Sequence, residues 1–126
     1  MQEFGDFEAN EEGKPYNIRQ RAFFFAKKVV WFAAHSKYER IYFSMFDQLV
    51  RSATSVGANL IEAISGSTKK DWRHYYTISL KSANETKYWI CLIRDTVNVP
   101  KEVTNELLTE ADELSKIIAT IILRSK

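Results

Sequence analysis

A chain of 126 residues with 45% hydrophobic and 27% charged side chains is one-domain material, long enough to remove roughly two thirds of its extended surface from water on folding. Its single cysteine, Cys91, excludes an intrachain disulfide framework and points to a reducing compartment. The formal net charge of +2 hides an uneven distribution: residues 1–13 carry five acids and no base, whereas residues 14–40 carry seven bases and one acid.

The chain start, MQEFGDFEANEEGKPYN, has no basic region followed by an apolar core, so no signal peptide is expected. No uninterrupted 18-residue apolar run occurs, so no membrane partner is expected and the cytoplasm is the expected location. Residues 1–16 read as an acidic, flexible lead and residues 17–126 as a four-helix bundle. Both prolines, Pro15 and Pro100, lie outside the long periodic stretches, where they would not break a helix.

Asn17, with Gln20 three residues later, predicts the cap of a first helix running to about His35, with Phe24, Ala26, Val30 and Ala33 among its apolar residues. The second helix is predicted to begin between Tyr38 and Ser44 and to reach Ser65. Its apolar face is Phe46, Leu49, Val50, Ala53, Val56, Gly57, Leu60 and Ile64, and Gly66 is its stop. Thr68 and Asp71 resemble a capping box for the third helix, whose seam is Trp72, Tyr76, Ser79, Ala83, Thr86, Ile90, Ile93 and Val97. Pro100 suits the first turn of the last helix, with Asn98 or Val99 as its cap, and the helix continues through Val103, Leu107, Ala111, Leu114, Ile118 and Ile121. The short links leave no room for a long crossover, so the expected fold is an all-α, antiparallel up-and-down four-helix bundle.

Apolar residues exceed what one core uses. Ile117, Ile118, Ile121 and Ile122 broaden the last helix, and Tyr75, Tyr88 and Trp89 make the third aromatic around much of its circumference. The surplus predicts a homo-oligomer.

A second stripe on the second helix is polar: Arg51, Ser55, Asn59 and Glu62 advance by four, four and three and share one side. With Glu85 on the third helix they form either a structural seam between helices or subunits, or a ligand surface. In the antiparallel hairpin Glu85 is expected near Arg51, and Glu62 near Lys69, Lys70 and Arg73. Catalytic residues are not expected: Glu62 and Glu85 look offset, and no histidine is placed to activate Ser55 or Ser79. His35 and His74 lack the Glu-x-x-His spacing of a di-iron bundle, so no metal or cofactor is expected. Cys91, between Ile90 and Leu92, reads as a small hydrophobe rather than a nucleophile.

The stretches QLVRSATSVGANLIEAISGSTKKDW and HYYTISLKSANETKYWICLI resemble the bacterial four-helix-bundle family labelled S23 ribosomal protein, or 23S ribosomal RNA intervening-sequence protein. The resemblance covers about Ile18 to Ile122 and is densest at Gln48, Arg51, Ser52, Ser55, Asn59 and Glu62, followed by Ser82, Asn84, Glu85 and Thr86. It implies a bundle that assembles as a ring of five without an established activity. It also implies a distant similarity to accessory proteins of diversity-generating retroelements, which bind a reverse transcriptase and nucleic acid. The expected function is therefore that of a non-enzymatic, self-associating binding or scaffolding module. The alternative is an oligomeric RNA- or DNA-binding accessory protein, with a protein partner, using Arg19, Arg21, Lys27, Lys28, Lys69, Lys70 and Arg73. An uncharacterised enzyme is the distant third reading.

Overall fold

The computed structural model describes residues 17–66 and 68–125. The acidic lead assigned to residues 1–16 lies outside them. Four helices follow in order: α1 (Ile18–His35), α2 (Phe43–Ser65), α3 (Lys69–Thr96) and α4 (Lys101–Arg124), with one 3-10 turn, Arg40–Tyr42, ahead of α2. Each helix packs on its chain neighbours and α4 closes on α1, as expected for an antiparallel up-and-down bundle.

Local signals account for the boundaries. The Asn17 side-chain oxygen accepts the Arg19 backbone N–H at 2.8 Å and starts α1. Thr68 Oγ accepts the Asp71 N–H at 3.0 Å and starts α3. Pro100 stands one residue earlier than its sequence reading: it is the cap of α4, and its carbonyl accepts the Thr104 N–H at 3.3 Å. Gly66 does end α2, but in an extended conformation (φ −66°, ψ 145°) open to any residue. Glycine is favoured there by space, because a Cβ would lie 3.1 Å from the Cβ of Asp71 and 3.3 Å from the Ala63 carbonyl.

The core has two joined regions. One, toward the α1–α2 turn, centres on Phe25, Phe32, Phe46, Leu49, Ile90 and Leu114. Tyr38 stacks on Phe46 with ring centroids 3.8 Å apart and closes that end. The other centres on Val56, Leu60, Tyr76, Ala83 and Ile118. The α3 and α4 faces fall where periodicity puts them, with Trp72, Val103 and Ile121 half-buried at their edges. Two assignments change on α2: Ile64 is exposed, while Ser52 is buried. On α1 the buried side is Arg21, Ala22, Phe25, Val29 and Phe32. Val30 faces out, because an apolar run on nearly every side gives periodicity no face to select.

The α2–α3 pair is packed through small side chains. Ser79 Oγ donates to the Val56 carbonyl at 2.8 Å, and Thr86 Oγ lies 2.9 Å from Ser52 Oγ and 2.7 Å from the Ser82 carbonyl. Ser55 and Ser82 hydroxyls meet at 2.9 Å. Each buried hydroxyl thus has a partner, which removes the penalty of burying it.

Substitutions at Gly57, inside α2, and at Gly66, its cap, should act in opposite directions. At Gly57 an added Cβ meets Ala22 Cβ at an ordinary 3.5 Å, so Gly57→Ala should stabilise by about 0.5–1 kcal/mol through helix propensity. Gly66→Ala should destabilise by displacing Asp71. Chemical denaturation of both variants checks the pair. Ser79→Leu should lower the melting temperature by several degrees, since overpacking a close helix contact costs about 1–3 kcal/mol.

Candidate functional site

The polar stripe read from the sequence separates into two parts. Ser55 and Asn59 sit between α2 and α3, where the Asn59 amide donates to the Ser55 carbonyl at 2.8 Å and lies 2.9 Å from its hydroxyl. Ser52, Ser79, Ser82 and Thr86 complete this internal seam. Arg51, Glu62 and Glu85 lie outside it, exposed. Arg51 and Glu85 do not pair: Arg51 Nε donates to Asp47 Oδ2 at 2.9 Å, one turn earlier on its own helix, and Glu85 accepts from Trp89 Nε1 at 3.0 Å. Antiparallel register brings the two residues to similar heights, since their chain neighbours Ser52 and Thr86 meet at 2.9 Å, but each side chain is taken by a partner on its own helix. Nor does an ion pair join Glu62 to Lys69, Lys70 or Arg73 among the described residues.

The seven basic candidates also separate. Arg21 is 9% exposed, its guanidinium donating to Glu110 at 3.1 Å and Glu113 at 3.0 Å. It fastens α1 to α4 and is not presented to a ligand, because its position on α1 is on the core side beside Ala22 and Phe25. Its Nε is buried without a hydrogen-bond partner. Lys27 and Lys28 are exposed on α1, and Lys27 Nζ sits 5.2 Å and 5.9 Å from the ring centres of Phe24 and Phe23. Arg19, Lys69, Lys70 and Arg73 gather at the end of the bundle where α1 and α3 start, and Arg124 of α4 ends there too. Arg19 also acts on Tyr76: burial pushes that phenol above its ordinary pKa, and the Arg19 charge partly offsets the rise.

Elsewhere charge ties helices together. Asp112 accepts from Lys87 of α3 at 3.3 Å and from Lys116 at 2.9 Å, and hydrogen bonds from Lys116 and Lys87 hold its carboxyl below the usual range. No group of three or more His, Cys, Asp or Glu that could hold a metal occurs among the described residues. None of the described helices is long and apolar enough to cross a membrane.

The surface that stands out is apolar and lies along α1. Trp31 is 61% exposed and Val30 44%. Together with Phe23, Ala26 and Ala34 they border Gly57, Ala58 and Ile61 of α2 across a groove of about 720 Å³. Arg19, Lys27 and His35 are its ionisable lining residues, and it has no acid. A second groove, of about 890 Å³, lies on the other side of α1 between Lys27, Lys28 and Trp31 and the acids Glu102, Glu106 and Glu110 of α4. The excess apolar surface expected on α3 and α4 is smaller than their sequences suggest: Ile118 is buried, Ile117, Ile121 and Ile122 are half-buried, and Tyr88 is the exposed aromatic of α3. The signal on α1 was available in FFFAKKVVWFAA, where hydrophobicity on every side exceeds what one core face uses.

An up-and-down bundle with an internal hydroxyl seam, an ionic α1–α4 clasp and an outward apolar face defines a helical protein without a recognisable catalytic centre among its described residues. The chain belongs to the 23S rRNA-intervening sequence protein family, whose model matches residues 14–120. It is similar to a crystal structure of a protein of unknown function from the S23 ribosomal protein family of Bacteroides thetaiotaomicron. The two share 31% identity and a TM-score of 0.78, over 84% of this chain and 98% of that one. No curated protein matches the sequence.

Arg21→Ala should destabilise the bundle by about 2 kcal/mol, between the few kcal/mol for breaking a buried pair and the ~0–1 kcal/mol typical of exposed pairs. Glu113→Gln should cost less, because Glu113 is the more exposed acid and Glu110 retains the guanidinium. Urea denaturation measures both. The part of stability supplied by the lowered Asp112 pKa is complete above the ordinary carboxylate pKa and is lost as pH falls from there through the lowered folded value, which acid titration of the unfolding midpoint would show.

Proposed function

We propose that the protein is a non-enzymatic scaffold of the cytoplasm whose copies associate through the α1–α2 face. The observation that carries this reading is the exposure of Trp31 and Val30 beside the small residues Ala26, Ala34, Gly57 and Ala58. Small residues let a second helix approach closely, while the large side chains supply the apolar area. A second copy suits the face by charge. α1 carries four Arg or Lys and no acid, whereas α4 carries five acids against three bases. Placed head to tail, the cations of one copy meet the exposed Glu102 and Glu106 of the next, a heterologous contact that can close into a ring. The ring of five implied by the family resemblance is the stoichiometry proposed. Arg51 and Glu62, exposed next to the apolar strip on α2, supply its polar rim.

Light scattering should find a mass above the 14.7 kDa of one chain. Val30→Glu and Trp31→Glu should each shift the protein toward that single-chain mass without loss of helicity. A wild-type protein that stays at one chain at micromolar concentration refutes the reading.

A second reading is favoured by the basic end of the bundle. Arg19 and Arg124 lie at the same end as Lys69, Lys70 and Arg73, so cations from three helices converge where a phosphate backbone would be attracted. In a ring this cluster would recur in every subunit, giving a multivalent surface for RNA or DNA and for a protein that accompanies it. Titrations with single-stranded RNA and duplex DNA at several salt concentrations should show affinity falling with salt. Replacing Lys69, Lys70 and Arg73 by alanine should flatten that slope, and unchanged binding by the triple variant excludes this end as the contact.

A further inference from the structure

The α1–α2 groove has a chemical character that matches one segment of the chain itself. Its wall and floor are apolar, its rim carries Arg19 and Lys27, and no acid lines it. The segment EFGDFEANEE, residues 3–12, combines two phenylalanines with five carboxylates and no base. It joins α1 at Asn17, the residue that caps the helix. Trp31 stands about 20 Å along α1 from that cap. The stretch from Tyr16 back to Phe7 can span about 30 Å when extended, so Phe7 reaches the middle of the groove without strain.

We propose that residues 3–12 dock in the α1–α2 groove of their own subunit, Phe4 and Phe7 against the apolar wall and the carboxylates toward Arg19 and Lys27. The competing groove on the α4 side is unsuitable, because Glu102, Glu106 and Glu110 line it and would repel an acidic segment. The nearest acids of α2, Asp47 and Glu62, are outside the chosen groove's lining, and Asp47 is held by Arg51. Tethering favours this occupant over a free peptide, since a covalent connection of a few residues gives an effective concentration on the order of millimolar. The docked segment covers the face through which copies associate, so it competes with assembly. Only this competition rests on the self-association reading; the docking stands without it.

The full chain tests both parts. With Cys91→Ser and Ala9→Cys, which keep both phenylalanines, a nitroxide on residue 9 should broaden the Trp31 indole and Ala58 resonances of the same chain. It should leave them sharp when labelled chains that are isotopically silent are mixed with isotope-enriched, unlabelled ones. Sharp groove resonances in the first sample overturn the docking, and equal broadening in the mixed sample overturns its intramolecular character. A Phe4→Ala chain labelled in the same way should lose most of the broadening, which shows that contact and not mere tethering is read; undiminished broadening counts against the phenylalanine anchors. Neutralising the segment, with Glu3→Gln, Asp6→Asn, Glu8→Gln, Glu11→Gln and Glu12→Gln together, should lower the concentration at which copies associate by about tenfold, the equivalent of about 1.4 kcal/mol. An unchanged midpoint overturns the competition. A chain that never associates refutes the scaffold reading while the broadening result still decides the docking.

Discussion

The close approach of α2 and α3 is the constraint on which the other helices depend. Two helices approach closely only if the side chains between them are small, and here the contact is made by Ser52, Ala53, Ser55 and Val56 against Ser79, Ser82, Ala83 and Thr86. Small side chains bury little apolar area each, so the pair gains from many short van der Waals contacts and from hydroxyls that find partners across or along the helices. The larger residues, Phe25, Phe46, Leu49, Ile90 and Leu114, then fill the space where α1 and α4 lean in. Thickening the α2–α3 seam by a methylene would therefore move the backbone that positions every other contact.

The outer helices carry the chemistry that meets the surroundings. α1 is held on one side by apolar packing on α2 and on the other by Arg21 reaching Glu110 and Glu113. What remains of α1 is turned outward and is both apolar and basic. In the proposed assembly the same helix would supply both the face for a second copy and the cations that favour an acidic neighbour. The basic end is separate, built by three helix termini, and its location follows from the antiparallel order of the bundle.

Much of this architecture was legible in the sequence because α2, α3 and α4 alternate apolar and polar residues at helical spacing and begin or end at cap residues with definite chemistry. Asn17 and Thr68 act locally, so their roles needed no knowledge of the tertiary fold. α1 was legible as a helix but not as a face, since FFFAKKVVWFAA is apolar in too many directions. Arg21 shows the converse difficulty. Among basic residues of one helix, the one that turns inward is identified only by acids eighty-nine and ninety-two positions away. Periodicity placed Ser55 and Asn59 on the side of Arg51 and Glu62, yet a shared side spans a wide arc, and only part of it meets α3. Side-chain length decides the rest: the short hydroxyls stay inside while Arg51 reaches Asp47 in solvent.

The clasp at Arg21 has a consequence for how the molecule comes apart. α1 meets α4 across the thinnest of the four helix contacts, and one guanidinium there serves two carboxylates. Opening of the bundle should therefore begin with α1 swinging from α4 while α2 and α3 remain paired, so α1 amides exchange with solvent ahead of those in the hairpin. A neighbouring copy seated on α1 would hold it from outside. Quaternary contact and the kinetics of local unfolding would then be linked through the same helix, and the subunit's most loosely attached element would become the one best protected in the assembly.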